Sequence, residues 1–142
     1  MIYLTQTVMH DPENGIHGDC MRTALACLLE LPVDTVPHFL HDGCDGEVFS
    51  RRIDEFLETL DLALLAIPFE DTPVNVMMSM ESTNPDTRFL LSGLSPRGIN
   101  HVVVAMNSEI IHDPHPSRAG LVGPCKSGYT WVEFLVSRKA HK

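Results

Sequence analysis

Apolar positions in this chain follow two different spacings. From Cys20 to Glu30, the residues Ala24, Leu25, Cys27, Leu28 and Leu29 recur at helical intervals, and nearly every side is apolar. That pattern predicts a central helix, with Gly18-Asp19 able to cap its start and Pro32 ending it. A short turn is expected through Val36, closed by Pro37. Glu47 to Leu60 is amphipathic, with Val48, Phe49, Ile53, Phe56, Leu57 and Leu60 on one face and Arg51, Arg52, Asp54, Glu55 and Glu58 on the other. Leu62 to Ile67 reads as a short strand. Asp71-Thr72-Pro73 opens a third helix around Val74 to Glu81, where Met77, Met78 and Met80 are expected as core filler. The last third changes period. Arg88 to Ser92, His101 to Met106, Ile110 to Asp113 and Tyr129 to Val136 are β-branched or aromatic runs separated by turn residues. Residues 1–8 read as a strand or an extended arm. Residues 10–18, 38–46 and 93–100 read as loops. Helices first and antiparallel strands later predict an α+β domain.

Length and composition narrow the picture. The chain has 142 residues, which fits one domain spanning 1–142, with residues 136–142 expected to fray. A domain of this size buries about 70% of the surface its unfolded chain exposes, so one core suffices. The formal charge is −9, from 10 basic and 19 acidic residues. That balance excludes nucleic acid as the main partner, because phosphate binding needs clustered Lys and Arg. The nearest approach to a basic stretch is the tail Arg138-Lys139-Ala140-His141-Lys142. No apolar run approaches a membrane span, and Met1-Ile2-Tyr3-Leu4 lacks the basic start of a signal peptide. The expected setting is cytoplasmic, with Cys20, Cys27, Cys44 and Cys125 reduced. In such a setting an unpaired thiol is a core residue, a metal ligand or a nucleophile.

A nucleophilic thiol needs a depressed pKa, which a helix N-terminus and a neighbouring imidazolium both provide. A third polar group must hold that imidazole, and the oxyanion needs donors. Cys20 stands at the predicted helix start. Cys27, two turns on, has the apolar setting of an inert thiol. His101 begins a strand after a Gly/Pro loop, and Asp113 ends the next strand 12 residues later. A three-residue turn at Asn107-Ser108-Glu109 would pair residues 106 and 110 and put His101 and Asp113 on one face. The spacing therefore permits a Cys20-His101-Asp113 triad.

The segment Gly18-Asp19-Cys20-Met21-Arg22-Thr23-Ala24-Leu25-Ala26-Cys27-Leu28-Leu29 resembles the nucleophile helix of small bacterial and phage papain-like cysteine peptidases. Leu31 to Phe39 matches a segment that often follows that helix. Gly93 to Gly98, His101-Val102-Val103-Val104 and His112-Asp113-Pro114-His115-Pro116 resemble the other half, so the likeness spans roughly residues 5–120. It implies a papain-like fold, a catalytic triad of Cys20, His101 and Asp113, a thioester acyl-enzyme, and a peptide or isopeptide substrate without a cofactor. It also implies a Gln upstream of the Cys as oxyanion donor. The only upstream Gln is Gln6, 14 residues before Cys20, farther than the usual short spacing. An insertion at Asp11–His17 would account for the gap. Asn14 is the alternative donor. Loops 38–46 and 93–100 are expected to flank the cleft. Acidic charge near it would favour basic substrates.

Simpler readings stay open. Cys20 can be a buried structural thiol, His101 a core histidine, and Asp113 the start of an Asp-Pro turn. His17 is a second candidate base. His38, His41 and Cys44, with His112, Asp113 and His115, are a conceivable metal set. Trp131 is expected in the core, with a place beside the cleft as the alternative. A non-catalytic binding protein on the same fold and a peptidoglycan amidase are the functional rivals.

Overall fold

A computed structural model describes residues 1–139, and residues 140–142 of the expected frayed tail lie outside the described residues. The chain forms three α-helices and a five-stranded antiparallel sheet, an α+β architecture. Helix α1 spans Cys20–Leu29, α2 Gly46–Glu58 and α3 Pro73–Thr83. Strands β1 Leu62–Phe69, β2 Arg88–Leu94, β3 Asn100–Met106, β4 Glu109–His112 and β5 Thr130–Ser137 align in the order β1-β5-β2-β3-β4. The last strand is thus interior, between β1 and β2. It pairs β1 along its whole length and β2 through Leu90↔Glu133 to Ser92↔Trp131. The described part of the expected fray is therefore structured: Ser137 pairs with Leu62, and Arg138 N–H donates to Asp61 O at 2.9 Å. β1 is an edge strand, which lets Pro68 sit inside it.

Alternation along the strands divides the core in two. Leu90, Val102 and Val104 pack under α1 and α2 with Ala24, Leu25, Ile53 and Leu57. Phe89, Leu91, Val103, Ala105 and Val132 pack with Val76, Met77 and Met80 of α3. Helix α1 is the most enclosed element; Ala24, Leu25, Ala26 and Cys27 have no exposed surface. Met78 departs from the expected core role and is exposed, because it falls on the outer side of α3. Leu60 is exposed too, since α2 ends two residues earlier. Residues 1–8 form no strand. The arm is held by separate bonds: His112 Nε2–H donates to Leu4 O (2.6 Å), Gln6 N–H to Pro114 O (2.8 Å) and Val8 N–H to Asp19 Oδ1 (3.1 Å).

The β3–β4 hairpin reaches its register by an unexpected route. Its turn has two residues, not three, so Met106 pairs with Glu109 and Ala105 with Ile110. A β-bulge between Val104 and Ala105 then shifts the pairing so that Val104 faces His112. The shift leaves Ile111 over and restores the parity that lets His101 and Asp113 meet.

Glu133 on β5 is half-buried in a groove with Met21, Phe49, Ile53, Ala66, Ser92 and Trp131. Trp131 lines this groove. Burial pushes the Glu133 carboxyl up to about 7, with Asp54 adding to the shift. Its ionisation is thus easier in the unfolded chain, and the folded state loses stability as pH rises from the ordinary carboxylate range through about 7. Glu133→Gln should stabilise the fold by about 1–2 kcal/mol at pH 8 and by much less at pH 5. Thermal melts at the two pH values check this.

Candidate active site

Helix α1 begins at Cys20. Its first internal bond runs from Thr23 N–H to Asp19 O at 3.0 Å. The N–H groups of Cys20, Met21 and Arg22 thus have no acceptor within the helix, and the positive end of the helix lies at the thiol. Asp19 occupies the N-cap position, but its side chain makes no cap bond. It is fully buried and instead accepts from Val8 N–H, lies 3.5 Å from Thr7 Oγ1, and pairs with Arg22 at 3.7 Å. The residue before the thiol therefore anchors the N-terminal arm against the helix start.

That anchor explains how Gln6 reaches the site from 14 residues upstream. Asp19 N–H donates to Val8 O at 3.2 Å, closing the chain between them into a loop. The loop folds on itself: Asp11 and Ile16 exchange two backbone bonds of 2.9 and 3.0 Å around a single 3-10 turn, Pro12–Asn14. Gly18 allows the closure, since a Cβ there would lie 3.1 Å from His10 N and 3.2 Å from His10 Cβ. Residues 11–17 are thus looped out and Gln6 lies on the wall of the cleft that holds Cys20. Gln6 Nε2 donates one bond to Val8 O at 2.9 Å, and its buried Oε1 has no partner among the described residues. Asn14 is exposed and spends its amide on Asp11 Oδ2 at 2.7 Å. Of the two candidate donors, only Gln6 lines the cleft.

His101 and Asp113 are both buried, and the imidazole Nε2–H donates to Asp113 Oδ1 at 2.7 Å. The other ring nitrogen is left free of Asp113, and the Cys20 thiol shares the cleft wall with the imidazole. Burial alone would lower the His101 pKa. The bond to Asp113, together with the neighbouring Cys20 thiol, outweighs it and raises the imidazole above its ordinary value. Burial would likewise raise Asp113, but the bond from His101 and the N–H groups of His115 (2.9 Å) and Gly120 (2.8 Å) hold its carboxyl below the usual range. The pair thus contributes stability between two limits. The contribution is lost as pH falls through the depressed Asp113 value and as it rises through the elevated His101 value.

The site opens into a cleft of about 440 Å³. Leu40 comes from the 38–46 loop, and Arg97, Ile99 and Asn100 come from the 93–100 segment. Two titratable contributors were not expected, His10 just before residues 11–17 and Lys126 before β5, and His115, expected only in a metal set, lines the cleft beyond β4. Lys126 N–H donates to Asn100 Oδ1 at 2.9 Å, a contact across 26 residues that no local pattern signals.

The remaining candidates lie elsewhere. His17 packs on Gly43, where a Cβ would come within 2.4 Å of its Nε2. Gly43 has φ +67°, so glycine is required there on both counts. His38 Nε2–H is spent on His17 O, and Cys44 Sγ on Phe39 O. Among the described residues no three His, Cys, Asp or Glu side chains are gathered as metal ligands. Cys27 is buried against Leu4 N–H (3.3 Å), and burial pushes its thiol up, as it does that of Cys125. All four cysteines are unpaired.

Comparison with family models, with curated proteins and with solved structures finds no match to this chain. No helix among the described residues is long and apolar enough to cross a membrane.

Replacing Asp113 by Asn removes the charge that opposes burial at His101. The His101 pKa should then fall by roughly 1–3 units, read from the imidazole proton shifts in an NMR titration. An unchanged midpoint would show that Asp113 does not control this imidazole.

Proposed function

We propose that this chain is a papain-like cysteine hydrolase that cleaves an amide bond, in a peptide or isopeptide, through a thioester on Cys20. One observation carries the reading. A buried imidazole is held by a carboxylate on one nitrogen and shares the wall of an open cleft with a helix-start thiol that helps to raise its pKa. The order of elements, a nucleophile helix ahead of an antiparallel sheet that supplies base and orienter, agrees with the papain-like arrangement that the sequence resembles.

Each group has a role set by its position. His101 takes the proton from the Cys20 thiol, and Sγ attacks the scissile carbonyl carbon. Negative charge collects on the carbonyl oxygen, where the free N–H of Cys20 and the uncommitted N–H of Gln6 Nε2 act as donors. His101 returns the proton to the leaving nitrogen as the C–N bond breaks. Water, deprotonated by His101, then attacks the thioester, releasing the acid and restoring the thiol. Asp113 keeps Nε2 protonated, so the nitrogen facing Cys20 is the one that exchanges the proton.

Alkylation tests the central role. Iodoacetamide at pH 7 should modify Cys20 at least tenfold faster than the thiols of the denatured chain, while buried Cys27 and Cys125 stay protected; peptide mass spectrometry resolves the sites. His101→Ala should abolish the advantage. Equal rates for native Cys20 and denatured thiols would leave only the binding-protein rival. Once a substrate is in hand, Gln6→Ala should lower kcat on the order of 100-fold with little change in KM.

A further inference from the structure

The chain carries a formal charge of −9, yet among the described residues no carboxylate lines its cleft. The charged and titratable side chains on the cleft wall are Arg97, Lys126, His10, His101 and His115, together with the Cys20 thiol. Arg22, Arg51, Arg52 and Lys139 are ion-paired, with Asp19, Glu55, Asp42 and Asp61 respectively. Among the described residues neither Arg97 nor Lys126 has such a partner. Their charge is felt inside the cleft. Beyond the effect of burial, Arg97 lowers the pKa of His115, and His17 and Lys126 lower that of His10. The acidic balance of the sequence does not extend to the site, so the condition under which basic substrates would be favoured is not met. Charge of one sign on low-dielectric walls focuses the field on whatever enters.

The two cations also lie on a particular side. Arg97 Nη1 donates to Ser117 Oγ at 3.2 Å, and that hydroxyl is 2.8 Å from Nδ1 of His115, whose ring stands edge-on to His101 at 6.1 Å. Lys126 is tied through its backbone N–H to Asn100, the residue before His101. Both are thus anchored next to the imidazole that must hand its proton to the leaving nitrogen, Arg97 through Ser117 and His115 and Lys126 through its backbone, which favours the half of the cleft that holds the leaving amine. We infer that the leaving amine bears a carboxylate, bound between Arg97 and Lys126. The substrate class is then a peptide or amide with an acidic amine half. That carboxylate is either an Asp or Glu side chain just after the scissile bond or the free C-terminus of the released piece. The inference rests on Cys20 as nucleophile and His101 as proton donor. In the step itself the Sγ–C bond forms, the C–N bond breaks, the His101 proton passes to nitrogen, and the carboxylate-bearing amine departs. Water then hydrolyses the thioester.

Two alkylating probes of similar size separate the charge of the cleft from the reactivity of the thiol. The ratio of iodoacetate to iodoacetamide rates at Cys20 should be severalfold higher in the native protein than in the denatured chain. It should fall severalfold in the Arg97→Gln/Lys126→Gln variant and in 0.5 M salt. A ratio that is the same in native protein, double variant and denatured chain overturns the inference, whatever the iodoacetamide rate. A slow iodoacetamide rate with a high ratio would instead strike at the nucleophile and leave the anion site standing. Protection of Cys20 from iodoacetamide by three acetylated peptides then assigns the source. Better protection by an amidated peptide containing Glu marks a side-chain carboxylate. Better protection by an all-Ala peptide with a free C-terminus marks a terminal one. Equal protection by these and an amidated all-Ala peptide, including none by any, contradicts a carboxylate site.

Discussion

A single buried carboxylate organises the end of the molecule where the cleft lies. Asp113 accepts from the His101 imidazole and from two backbone N–H groups, while its own carbonyl accepts from Arg118. Arg118 in turn reaches Thr5, and Gln6 N–H bonds the carbonyl of Pro114. The turn after β4 is therefore the junction of His101, Asp113 and the N-terminal arm. Removing one member of a buried charged pair leaves the other unpaired, at a cost of roughly 3–5 kcal/mol. The constraint that positions the imidazole thus also holds the fold around it.

The two chain segments farthest apart in character are brought together by that junction and by Asp19. The arm has no strand partner, so its polar backbone is satisfied by His112, Pro114 and Asp19. This arrangement sets Gln6 beside Cys20 while residues 11–17 between them close as a separate hairpin. Helix packing sorts the two thiols of α1. Cys27 is buried against the N-terminal arm at Leu4, whereas Cys20 stands at the free N-terminal end, half-exposed to the cleft.

Much of this was legible in the sequence. Helix spacing placed α1, α2 and α3, and β-branched runs placed β2 to β5, because each element has one dominant period. The meeting of His101 and Asp113 was anticipated for an incomplete reason: the hairpin turn is shorter than expected, and a bulge corrects the register. A bulge depends on packing against β3 rather than on residues 107–109, so local turn chemistry could not announce it. Gln6 was identified by likeness to a motif, but its proximity depends on the Val8–Asp19 closure, a contact between distant backbone groups. The interior place of β5, between β1 and β2, and the cations on the cleft wall were not legible at all. Strand order and the Lys126–Asn100 contact are tertiary facts, and net charge says nothing of where charge lies. Met78 and Leu60 show the smaller error of reading apolar character as burial.

The account depends on Cys20 forming a covalent acyl intermediate through His101. Intact-mass spectrometry after brief incubation with an activated acyl ester, quenched in acid, reads this directly. The account predicts one acyl group on Cys20, removed by hydroxylamine, with the adduct absent in Cys20→Ser and formed at least tenfold more slowly in His101→Ala. Acylation of Cys20 at the same rate with and without His101 would contradict it.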